Sequence, residues 1–143
     1  MAVAALLLWL ATAGAGTFLL VNAISRGNAA STKPAAGPHA KADQLPGLRD
    51  LAEFAHPALA LAGLGCWLGY VVSGDWLFAA VGLGVLLGAI CAGLSWFTVN
   101  RRARKRADGG GPAPLLPSPR LLLLHAAGAA LTVLIVALVT ARV

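Results

Sequence analysis

Four long apolar runs, separated by polar breaks of unequal length, set the pattern of this chain. The first runs from about Ala2 to Ile24 and the second from Phe54 to Val72. The third runs from Trp76 to Val99 and the fourth from Leu121 to Thr140. Each approaches the ~20 residues that a helix needs to cross about 30 Å of hydrocarbon. The pattern therefore predicts an all-α integral membrane protein, a four-transmembrane-helix bundle forming a single membrane domain over residues 1–143. Between the second and third runs, Ser73-Gly74-Asp75 predicts a tight turn in which Ser73 or Asp75 caps the third helix. So short a break makes those two spans an antiparallel hairpin. Ser118 and Pro119 read as N-cap and first helical residue of the fourth. The stretch Met1–Leu20 lacks the basic start of a cleaved signal, and its apolar run continues past the usual length. It reads as a retained span.

Composition agrees with the pattern. Of the 143 residues, 59% are hydrophobic and only 11% charged, with a mean hydropathy of +0.80. A soluble domain carries about 25% charged residues, so this chain cannot cover a water-facing shell. Its formal charge of +6 could suggest a polyanion. The basic residues, however, lie between the apolar runs, with no aromatic residues interleaved, so no nucleic-acid partner is expected. Every Lys and Arg except Arg142 falls in the flexible segments 25–53 and 100–120. The positive-inside rule places both segments in the cytoplasm and both termini outside, in a multi-pass protein of a cell membrane, expected to be a bacterial inner membrane. The run Arg101, Arg102, Arg104, Lys105 and Arg106 sets topology and is a candidate site for anionic lipid headgroups.

Small residues within the runs predict close helix approach. Gly84 and Gly88 form one pair four apart, and Gly65 and Gly69 another. Ala126 to Ala130 form a block in the fourth run. Trp9, Trp67, Trp76 and Trp96 serve as interfacial anchors or packing residues, with Trp76 suited to the outer interface.

Ionisable residues near or within a span are the first candidates for function. His56, His125 and Glu53 are those that remain once the loops, and His39 with them, are set aside. At a rise of about 1.5 Å per residue, His56 and His125 lie roughly 3 and 7 Å inside the cytoplasmic boundaries of helices running in one direction. Two imidazoles at one level are what the two axial positions of a b-type haem iron require, in an apolar pocket supplied by the surrounding helices. Small residues after each histidine leave space for the macrocycle. Glu53, three residues before His56, is placed for an orienting contact or a proton relay. Pro57 opposes helical geometry at His56, which could instead cap or kink the second helix. Cys66 lies about 18 Å from the inner boundary and Cys91 about 10 Å, too different in depth for a disulfide. A single methionine excludes a His/Met copper cluster, and the spans hold no charged residue to mark an ion path.

The spans together with His56-Pro57 and Leu124-His125-Ala126 resemble small bacterial four-helix membrane proteins of the cytochrome b561-like kind, and uncharacterised proteins of high-GC bacteria. The resemblance covers about two thirds of the chain. It implies an electron-transfer subunit, with quinone as a candidate partner. Proteins of that kind that hold two haems use four histidines, whereas the spans here hold two, so at most one haem is implied. The competing expectation is an accessory or scaffold subunit without cofactor, docked through its glycine-lined faces on a membrane-protein partner or a second copy.

Overall fold

The computed structural model describes residues 1–30, 48–107 and 118–142. These residues form four helices: α1 (Ala2–Ala30), α2 (Leu48–Ser73), α3 (Trp76–Ala107) and α4 (Pro119–Thr140). The protein is all-helical, and each helix holds a stretch long and apolar enough to cross a membrane. Three helices outrun their apolar stretches. α1 continues to Ala30, α2 begins at Leu48, and α3 carries Arg101, Arg102 and Lys105 on its last turns with exposed side chains. Hydropathy marks where hydrocarbon would end, whereas helical hydrogen bonding continues through Arg, Lys and Ala, which favour it.

Both expected caps form. Asp75 Oδ1 accepts from Leu77 N at 2.9 Å, Ser73 Oγ accepts from Asp75 N at 3.1 Å, and Gly74 takes a left-handed φ of 74° between them. A side chain at Gly74 would strain that turn. At α4, Ser118 Oγ accepts from Leu121 N at 3.4 Å, and Pro119 opens the helix.

Around the bundle each helix packs against the next in sequence, and α1 closes the ring against α4. The most extensive packing joins α2 to α3, then α1 to α4. The α1–α2 and α3–α4 seams are lighter. α2 and α4 therefore stand on a diagonal.

The tightest core lies toward the end that carries the termini and the Gly74 turn. There Trp9, Trp67, Ala79, Leu86 and Val136 pack together, all nearly free of solvent. Trp67 Nε1 donates to Ala2 O at 3.1 Å, satisfying the buried indole and tying α2 to the start of α1. Of the expected glycines only Gly69 is closely approached, a Cβ there lying 3.0 Å from Phe78 Cδ1 of α3. Gly84 and Gly65 face open space, and a Cβ on Gly88 would meet only Leu59 Cδ1 at 3.8 Å. Instead Gly63 and Gly82 bring α2 and α3 together, a Cβ on either lying 3.4 Å from the carbonyl of the other. Glycines four apart share a face, but their spacing does not say which face meets a neighbour.

Candidate functional site

His56 on α2 and His125 on α4 point into the bundle from opposite corners. Their ring centroids lie 6.0 Å apart with planes at 83°. α2 remains helical through Pro57, so His56 faces the interior and neither caps nor breaks its helix. Proline there removes a donor to the carbonyl four residues earlier, one lost bond in a helix held by its neighbours. The pair sits far from the terminal end of the bundle: about 21 Å along α1 and 26 Å along α3 at a rise of 1.5 Å per residue. The apolar packing at one end and the imidazoles at the other divide the bundle interior.

Each ring fits against a helix through a glycine. A Cβ on Gly93 of α3 would come within 2.9 Å of His56 Nδ1, and one on Gly16 of α1 within 2.9 Å of His125 Cε1. His56 Nδ1 lies 2.7 Å from Ala89 O. A carbonyl only accepts, so Nδ1 carries the proton and Nε2, across the ring, keeps its lone pair. Beside His125 lies the backbone of Thr12, yet His125 Nδ1 is buried and completes no hydrogen bond. Leaving such a group unsatisfied costs about 1–3 kcal/mol. Thr12 is itself packed closely, since a Cβ on Gly128 would meet its Oγ1 at 2.8 Å.

The pocket around the rings is lined by Thr12, Ala60, Ala129 and Thr132 besides the histidines, and its volume is about 40 Å³. That admits water, which needs about 10–15 Å³. Pockets for organic ligands run to about 300–1,000 Å³, so a macrocycle enters only if helices part.

The donor set bears on which group the histidines could hold. Among the described residues no cluster of three or more His, Cys, Asp or Glu side chains could hold a metal ion. A bare zinc-like ion takes three or four protein ligands, whereas haem brings its own equatorial nitrogens and asks the protein for axial ligands alone. Metal–imidazole bonds of about 2.0–2.1 Å put the centroids of two rings sharing one metal roughly 6 Å apart. The residues present fit that requirement, although the same spacing also suits two aromatic rings in edge-to-face contact.

Other expected site residues fare differently. Arg101, Arg102 and Lys105 are exposed at the end of α3. The side chains of Glu53, Arg104 and Arg106, and His39 altogether, lie outside the described residues. Cys66 and Cys91 are both free thiols, Cys91 on the outer surface of the bundle. Of the small residues after the histidines, Ala60 and Ala129 face the pocket, while Ala58, Ala126 and Ala127 face outward. Sequence reasoning overlooked Thr12 and Gly16, which read as ordinary members of an apolar run. Comparison of the chain with protein-family models, curated proteins and solved structures finds no match, so its site stands on its own geometry.

Proposed function

We propose that this chain is a multi-pass protein of a bacterial cell membrane, binding one b-type haem between His56 and His125 and serving as an electron-transfer subunit. The observation that carries the reading is the histidine pair: two imidazoles from diagonal helices, centroids 6.0 Å apart and planes nearly perpendicular. The Ala89 carbonyl supports it by holding the His56 proton on Nδ1, which turns Nε2 toward the bundle interior.

When bound, the haem would supply one-electron chemistry. The chain's own part is to hold two neutral imidazoles, to exclude bulk water with Trp9, Leu86 and Ile90, and to keep the rings near the basic end of the bundle. In this reading that end is cytoplasmic, since Arg101, Arg102 and Lys105 extend from α3 there. They would face anionic headgroups, and Arg120, at the start of α4, would be available to a propionate. A quinone or a partner protein would exchange electrons from this side.

The test is an absorption spectrum of the detergent-solubilised protein from haem-replete cells. A Soret band is expected, lost in both His56→Ala and His125→Ala. A colourless, folded preparation would refute the reading and leave the accessory-subunit role. Reporter fusions to the C-terminus check orientation: activity is expected for a periplasmic reporter and none for a cytoplasmic one.

A further inference from the structure

The two histidines occupy one environment built twice. On α1, Trp9, Thr12 and Ala13 face the pocket, standing seven, four and three residues before Gly16. On α3, Leu86, Ala89 and Ile90 face it at the same offsets before Gly93. On α2 and α4 each histidine is followed four residues later by a lining alanine, Ala60 and Ala129. α1 runs parallel to α3 and α2 to α4, so the repeat describes a local two-fold axis along the bundle, passing between the rings.

The repeat coincides with the packing. His56 of α2 rests on Gly93 of α3, and His125 of α4 rests on Gly16 of α1. These are the two most extensively packed pairs, so each imidazole is cradled within its own half and the lighter seams run between the halves. In each cradle the glycine removes the one Cβ that would collide with the ring. For His56 the backbone group beside the ring is the carbonyl of Ala89, four residues before the glycine and 2.7 Å from Nδ1, whereas His125 Nδ1 completes no hydrogen bond. In a helix the carbonyl four residues before a glycine lies beneath that glycine. A ring reaches it only where no side chain intervenes.

We infer that Gly16 and Gly93 are positioning residues. Gly93 opens the Ala89 carbonyl to the Nδ1 proton of His56, and Gly16 makes the matching room beside His125, so that the two rings meet at the axis between two helix pairs able to part around a flat ligand. The inference deepens the haem reading, and it rests on that reading only for the identity of the ligand. The cradles act on the imidazoles with or without it.

The experiment has a haem-free arm and a haem-loaded arm. In the haem-free arm, ¹⁵N-histidine NMR of the full chain in micelles, assigned through single histidine deletions, reads the tautomers. His56 is expected as the Nδ1–H form in the wild type and in Gly84→Ala, where the added methyl meets open space. Gly93→Ala is expected to populate the other tautomer. An unchanged His56 signal in Gly93→Ala overturns the inference, whether or not the wild type binds haem. Should Gly93→Ala fold poorly, the double variant His56→Ala/Gly93→Ala decides. It recovers stability if the glycine serves the ring, and recovery of nothing overturns the proposal. In the haem-loaded arm, Gly16→Ala and Gly93→Ala are expected to weaken haem retention by about 10- to 100-fold and to change the low-spin EPR signature, with Gly84→Ala unchanged. Wild-type retention and signature in both would overturn the inference. A tautomer change in a protein that never takes up haem would uphold the positioning role while the haem reading failed.

Discussion

Replacing Gly63 by alanine tests the packing around the site directly. A Cβ there would lie 2.9 Å from Trp9 Cζ2, 3.0 Å from Trp9 Cη2 and 3.4 Å from Gly82 O. Trp9 is only 2% exposed, and its rigid ring borders no free space but the small pocket beside the histidines. Alanine in place of glycine favours the helix by about 0.8–1.0 kcal/mol, while overpacking a filled site costs about 1–3 kcal/mol. Gly65, two residues on, faces open space, so Gly65→Ala gains the same propensity without the clash. The difference between the two variants isolates the collision and is expected to be about 1–3 kcal/mol, or roughly 5- to 150-fold in the folded-to-unfolded ratio. Reversible unfolding in mixed detergent micelles, followed by circular dichroism, measures it. Gly63→Ala is expected to unfold at lower denaturing-detergent fraction than wild type, and Gly65→Ala at equal or higher. Coincident midpoints would show that Trp9 yields freely, and the account of a rigid core beside the histidines would be wrong.

Two further outcomes follow from the opposite end of the bundle. Trp67→Phe removes the indole donor to Ala2 O and part of a wholly buried side chain, and is expected to cost about 1–3 kcal/mol in the same assay. Asp75→Ala removes the cap on Leu77 N and is expected to cost about 1 kcal/mol, with Asp75→Asn close to wild type.

The four helices were legible because hydrocarbon thickness imposes one length on every span, and the caps at Asp75 and Ser118 because few residues satisfy an exposed helix start. The meeting of His56 and His125 was legible as matched depth. Depth, however, says nothing of azimuth, and the proline after His56 did not reveal that α2 would stay helical through Pro57 with His56 turned inward. The cradles were harder to see. Gly16 and Thr12 lie among alanines and leucines that differ little from them in hydropathy, and their role depends on which helix stands opposite. The same ignorance of neighbours drew the glycine reading to Gly84 and Gly65, which face open space, and past Gly63. An internal comparison of α1 with α3, aligned on Gly16 and Gly93, was the one sequence signal that could have revealed the shared offsets.

The division of the interior has a consequence for traffic. Tryptophan and aliphatic side chains fill the terminal half, where the described residues hold no second pair of ligands, so a carrier lodged at the histidines would have no stepping stone toward the far leaflet. Such a protein would work as a siding and not as a wire, taking charge from one face and returning it to the same face. Moving an electron across the whole bilayer would require a neighbour to furnish the other half of the route.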